Sequence, residues 1–158
     1  METLRSIEVA AGRLFADIGM ASIAGDPPPP VEELAIYQRH GRAWVYADSD
    51  VGPVGYLLAG QVDGNAHIDQ VSVHPSFGRR GIGRRLIDHL CAQARDEGLP
   101  AVTLTTFASV PWNAPYYRRC GFRIMDQSEL GPELIRLRLD EQDRGLDREP
   151  RVAMIRRA

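Results

Sequence analysis

Little in this sequence ties it to an oxidising compartment, a membrane or a polyanion. It has two cysteines, Cys91 and Cys120, in 158 residues. They form no CxxC pair and no histidines stand beside them at ligand spacing, so a metal site is not expected. No run approaches the roughly 20 apolar residues needed to cross a bilayer. The first twenty residues carry early acidic side chains and no apolar stretch of signal-peptide type, so a cytoplasmic protein with no membrane partner is expected. The formal net charge is only −2, from 19 basic and 21 acidic residues, too weak a field to suggest nucleic acid as a partner. No internal repeat is visible.

What remains is a globular composition, 44% hydrophobic and 25% charged, at a length suited to one domain over residues 1–158. Basic residues do cluster locally, at Arg79, Arg80, Arg84 and Arg85 and again at Arg148, Arg151, Arg156 and Arg157. Such clusters suit a small phosphate-bearing ligand better than a duplex.

Apolar residues at Leu4, Ile7, Ala11, Leu14, Phe15 and Ile18 predict one amphipathic helix. The run Pro27 to Pro30 breaks it as an extended connector, and Val31 to His40 suits a second helix. Three strands are expected at 43–47, 54–60 and 67–73, joined by Asp-, Gly- and Asn-rich turns into an antiparallel meander. The period then becomes helical from Gly83 to Gly98, with Cys91 on the apolar stripe, and Ala101 to Thr106 returns to a strand. Strand, helix and strand in this order predict a parallel βαβ unit with right-handed crossover. A short helix at 114–119 with Asn113 as N-cap, a strand at 121–125, a helix at 130–143 and a strand at 152–155 complete the chain. The expected class is α/β: a mixed, mostly antiparallel sheet with a central parallel βαβ unit, flanked by helices.

The segment Val71 to Leu86 carries most of the chemistry. It reads as a strand, a turn at His74-Pro75, a Gly- and Arg-rich loop, and a helix start. Unpaired amides at a helix start, reinforced by its dipole, attract an anion. Gly81 and Gly83 let the backbone approach a phosphate, and arginines add charge-assisted contacts. Two familiar alternatives fail. A P-loop needs Gly-Lys-Ser/Thr, but Arg84 and Arg85 follow Gly83. A dinucleotide fingerprint needs a small residue at Leu86 and an acidic residue about 20 positions on, where Thr103 to Thr106 stand.

The strand, the Val73-His74-Pro75 turn and the run Arg80-Gly81-Ile82-Gly83-Arg84-Arg85-Leu86 resemble the pyrophosphate motif of the GNAT superfamily of acyl-CoA-dependent N-acyltransferases. Downstream, Asn113 through Tyr116-Tyr117 to Gly121-Phe122 is similar to that family's second signature. The two motifs in this order are far more specific than either alone. The resemblance covers 44–122 firmly and the flanks loosely.

It implies transfer of an acyl group, most naturally acetyl from acetyl-CoA, to a primary amine of a small molecule or peptide in a direct ternary complex. Val71, Ser72 and Val73 would pair with the pantetheine arm like an added strand. Arg79, Arg80, Gly81, Ile82, Gly83 and Arg84 would hold the pyrophosphate, and Asn113 would bond the pantetheine. Tyr117 would protonate the departing thiolate, a near-balanced transfer because a thiol and a phenol differ by only ~1–2 pKa units. A homodimer is what the resemblance allows.

Departures from the family pattern are also plain. Gly78 stands where relatives usually carry Gln or Arg, and helical periodicity starts by Leu4, where a strand usually comes first. For the base that deprotonates the amine, Gln70 cannot serve, whereas Asp69 can, directly or through water; the other reading of Asp69 is a solvated strand carboxylate. His74 reads as a turn residue, and His67 and His89 receive no role. Thr105, Thr106, Phe107 and Trp112 either line the acceptor pocket or belong to the core. Cys120 is a minor candidate for a covalent route, and a non-catalytic acyl-CoA-binding module is the competing function.

Overall fold

The computed structural model describes residues 1–158. Two compact units are present, one from Met1–Ala59 with Asp69–Ile87 and the other from Gly60–Ile68 with Asp88–Ala158. The helices are α1 (Glu2–Gly12), α2 (Ala21–Ala24), α3 (Val31–Arg39), α4 (Ile82–Asp96), α5 (Ala114–Arg119) and α6 (Pro132–Asp143). The strands are β1 (Ala43–Asp48), β2 (Gly52–Val62), β3 (Asn65–Val73), β4 (Ala101–Phe107), β5 (Arg123–Ile124) and β6 (Arg151–Arg157). Their order across the sheet is β1-β2-β3-β4-β6-β5. Strand β1 pairs with β2, β4 with β6 and β5 with β6 in antiparallel fashion, whereas in β3 and β4 Ala66 and His67 pair in parallel with Val102 and Thr103. The mixed sheet and the parallel βαβ crossover are therefore both present.

In the first unit, Leu4 and Ile7 of α1 and Leu34 of α3 pack on Tyr56 and Leu58 of β2. Each such side chain, fully buried, contributes about 1.5–3 kcal/mol. The expected single helix to Ile18 is corrected: after Gly12 the chain tightens into a 3₁₀ turn over Arg13–Ile18. Leu14 and Ile18 are 36% and 44% exposed, so the apolar stripe beyond Ala11 is only partly covered, and Gly12 weakens the junction. The short α2 had no periodicity long enough to be read.

In the second unit, α4 ends as expected at Gly98, which takes φ +74° while Leu99 N–H donates to Ala94 O at 2.8 Å. Helix α6 starts at Pro132 rather than at Leu130, because its first amides are bound from elsewhere. Asp63, in the β2–β3 turn, accepts from the Glu133 and Leu134 amides at 2.9 Å each, and Glu133 accepts from the Asp63 amide. Gly131 leaves room for that carboxylate, since a Cβ there would lie 2.3 Å from Asp63 Cγ. Strand β5 is shorter than predicted because Gly121, at φ +91°, still belongs to the turn that closes α5. Strand β6 is longer, pairing with β4 from Ala101↔Arg157 to Phe107↔Arg151.

Asp63→Ala removes a cap made across the chain. It should lower stability by about 1–2 kcal/mol in denaturant titration, with m unchanged.

Candidate active site

The strand, loop and helix start that the sequence singles out for an anion lie in the first unit. After Val73, the His74 amide bonds Val54 O at 2.8 Å, and its Nδ1 accepts from the Ser76 amide at 3.2 Å. His74 is thus a turn residue, as read. Pro75–Phe77 form one 3₁₀ turn, and the backbone becomes left-handed at Arg79 (φ +60°) and again at Gly81 (φ +74°). For an arginine that conformation costs on the order of 1 kcal/mol, which the surrounding turn must enforce. Alternation of this kind turns successive N–H groups into a concave anion nest.

The first α-helical bond of α4 runs from Arg85 N–H to Gly81 O, so the Ile82 and Gly83 amides have no partner within the helix. The side chains divide. Arg79 is exposed, and the exposed Arg80 lies with its guanidinium 4.8 Å over the Phe77 ring. Arg84 is exposed too, while Arg85 turns to donate to Tyr46 Oη at 2.9 Å. Ile82 and Gly83 are buried; Ile82 packs on Gly55, where a Cβ would meet Ile82 Cγ2 at 3.1 Å and Ser72 O at 3.2 Å. These two offer the ligand backbone, not side chain. Gly78 is explained as well: a side chain there would crowd Pro75 O at 3.1 Å.

Two carboxylates stand on the same unit. Asp69 accepts from Tyr37 Oη of α3 at 3.0 Å. The residue as a whole is exposed, and its carboxyl is partly desolvated where Tyr37 meets it. That desolvation, together with the Glu33 charge, raises it above the ordinary carboxylate range despite the Tyr37 bond. Glu8 of α1 accepts from Tyr56 Oη at 2.8 Å, Ser72 Oγ at 2.6 Å and Gln70 Nε2 at 2.9 Å. Burial, then the Glu8 charge and hydrogen bond, push the Tyr56 phenol upward. Ser72 therefore spends its hydroxyl on Glu8, and only its backbone is left for a ligand.

In the second unit, Asn113 is the N-cap residue of α5 as expected, its carbonyl accepting from the Tyr117 amide at 2.9 Å, but its side chain makes no capping bond. Its Nδ2 donates to Trp112 O at 3.2 Å, and its Oδ1 is buried with no partner. Tyr117 is buried, its ring edge-on to Tyr116 and Phe122 with centroids 5.6 and 5.9 Å away. Cys91 and Cys120 are buried and form no disulfide, and burial pushes the Cys91 thiol up, away from nucleophile chemistry.

The strand, left-handed loop and helix start, and further along the chain the Asn113–Phe122 segment, fall within one family match. The model of the acetyltransferase (GNAT) family matches residues 13–122. The chain belongs to the GNAT family.

Solved structures of similar fold extend beyond that stretch. One is a chain from Bacillus anthracis assigned as a streptothricin acetyltransferase, in complex with acetyl coenzyme A. It is 18% identical with a TM-score of 0.58, over 73% of this chain and 61% of that one. N-acetylglutamate synthase from Neisseria gonorrhoeae is 16% identical with a TM-score of 0.65, over 96% of this chain and 32% of that one. This GNAT chain thus spans about three-fifths and one-third of the lengths of those two proteins. Rv2747 from Mycobacterium tuberculosis, solved with CoA, is 22% identical with a TM-score of 0.63, over 98% of this chain and 96% of that one.

Reading the sequence missed Glu8, Tyr37, Tyr56 and Glu141. Glu8 had a signal, since it falls on the Leu4–Ile7–Ala11 stripe, where a charge is out of place. Glu141 is buried, and Thr105, Arg138 and Arg151 all donate to it. Burial alone would raise its carboxyl, but the Thr105 bond and the two arginines hold it below the usual range. Thr105 is thereby a structural partner of Glu141 and not a free pocket hydroxyl.

His67 was given no role, and the structure explains its state. It is buried with Nδ1 2.8 Å from Thr103 Oγ1, and burial lowers its pKa from 6.5 to about 4. The folded chain holds it neutral, while the unfolded chain protonates it near 6.5. Its contribution is present above pH 6.5 and lost as pH falls through about 4. Thermal melts should therefore fall across this window, by about 3 kcal/mol at the limit, and His67→Gln should flatten that part of the profile.

Proposed function

We propose that this GNAT-family chain transfers an acetyl group from acetyl-CoA to a primary amine of a small molecule or peptide. The transfer is direct, in a ternary complex, within one catalytic domain over residues 1–158. The observation that carries this reading is the left-handed pair Arg79 and Gly81 at the start of α4, immediately after β3, in a chain of this family. Such a nest fits a pyrophosphate and is costly without a ligand. The unpartnered Oδ1 of Asn113 fits the same ligand, because the pantetheine arm carries amide N–H donors.

The chain's own groups then divide the work. The Val71 and Val73 backbone aligns the arm, while Arg79, Arg80, Gly81, Ile82, Gly83 and Arg84 neutralise and orient the phosphates. Acetyl-CoA supplies the acyl group as a thioester. Asp69, raised by desolvation, takes the proton that the ammonium must lose before attack, and Tyr37 orients it. Tyr117 gives its phenolic proton to the leaving sulfur. Burial of both thiols supports direct transfer over a covalent route through Cys120.

Calorimetric titration with acetyl-CoA, followed by thiol release over an amine panel, tests this directly. The nest reading expects binding that weakens when Arg79 and Arg80 are both changed to Ala. Tyr117→Phe should lower turnover by ~10²-fold or more with acetyl-CoA affinity retained. Binding without thiol release on any amine would instead make the chain a non-catalytic acyl-CoA module.

A further inference from the structure

Glu8 is a half-buried carboxylate with no cation beside it. Its partners are the neutral donors Tyr56, Gln70 and Ser72, drawn from β2 and β3 onto α1. The load on its two oxygens is uneven. Oε2 takes Tyr56 Oη at 2.8 Å, Ser72 Oγ at 2.6 Å and Gln70 Nε2 at 2.9 Å, whereas Oε1 takes Gln70 Nε2 alone, at 2.9 Å. A carboxylate offers about four lone-pair sites, so the open capacity lies on Oε1.

Neutral donors fix the carboxylate's orientation without cancelling its charge. A partly desolvated charge of this kind is unfavourable unless something pairs with it, and such violations concentrate at functional sites. Glu141 in the other unit is the contrast: Arg138 and Arg151 neutralise it, and nothing is left to bind. Position adds to the case. Glu8 grips Gln70 and Ser72, the two neighbours of Val71, whose backbone is assigned to the acyl donor.

We propose that Glu8 Oε1 is the anionic contact for the protonated amine of the acceptor, and that it selects alkylammonium substrates over neutral nucleophiles. This deepens the acetyl-transfer reading and rests on it for the identity of the bound amine. Every group around Glu8 presents N–H or O–H to it, so a further N–H donor extends the set, where a metal ion would have to displace it. The charge-assisted bond orients the amine, and Asp69 remains the group that takes its proton.

Glu8→Gln keeps the shape and removes the charge. Calorimetric titration of n-butylammonium into the CoA-saturated wild-type protein should give saturable binding, and n-butanol should give none. Glu8→Gln should weaken n-butylammonium by tenfold or more and Glu8→Asp should restore part of it. For any amine turned over, the loss should appear in KM for the amine with KM for acetyl-CoA unchanged. The melting temperature of Glu8→Gln should stay level or rise, since an uncompensated charge has gone. Three results overturn the proposal: no n-butylammonium binding to the wild type, equal binding by Glu8→Gln, or a joint fall in melting temperature and acetyl-CoA affinity, which marks a purely structural tie. If the wild type binds n-butylammonium but releases no thiol from acetyl-CoA with any amine, the catalytic reading fails while the cation contact stands.

Discussion

The parallel pairing of β3 with β4 is the constraint on which the rest of this chain depends. Two antiparallel strands can be joined by a two-residue turn, but parallel strands need a crossover. Here the crossover is helix α4, which must begin close to the end of β3. The helix therefore presents its unbonded first amides where β3 ends. The left-handed residues Arg79 and Gly81 complete the reversal and point further N–H groups into the same concavity. The unbonded amides and the left-handed loop are in this sense a by-product of topology, with exposed arginines beside them. Gly55 is part of the same constraint, since a Cβ there would press on Ile82 and on β3 at 3.1–3.3 Å and push them slightly away.

The chain treats these carboxylates in two ways. Glu141 is neutralised by Arg138 and Arg151 and further bonded by Thr105, a network that joins α6 to the starts of β6 and the end of β4. Such a network fixes structure and has no open valence. Glu8 and Asp69, by contrast, are bonded by phenols, an amide and a hydroxyl, none of which carries charge. The same residue type thus acts as a fastening in one place and keeps an uncancelled field in the other. The side chains opposite decide which.

Legibility from sequence followed the strength of the local rule. The β3–α4–β4 unit was readable because its period changes twice and Gly98 ends the helix by a known capping geometry. The loop was readable because Gly and Arg at a helix start have few other uses. What escaped depended on partners far along the chain. Helix α6 begins at Pro132 only because Asp63, in a distant turn, binds its first amides. The α1 helix stops at Gly12, beyond which Leu14 and Ile18 are only partly covered. Asn113 looked like a cap by type, yet its amide turns back to Trp112 and leaves an oxygen waiting. In the site, the motif residues were found and their partners Glu8, Tyr37 and Tyr56 were not, because no motif spacing links α1 and α3 to β2 and β3.

That asymmetry has a physical origin in the division of labour between donor and acceptor recognition. A phosphate is read by backbone amides, whose positions follow from a short stretch of Gly-rich sequence and a helix start. An amine is read by side-chain carboxylates, and these can be supplied by any element whose packing brings them within reach. Tyr56 shows how such a position becomes fixed: it is fully buried against Leu4, Ile7 and Leu34, so its hydroxyl cannot follow Glu8 elsewhere. The core of the first unit therefore sets where Glu8 is held, and a change in Leu4 or Leu34 would move the carboxylate without touching it. The place of Glu8 is then coupled to helix packing, while the Gly- and Arg-rich loop is coupled to the crossover.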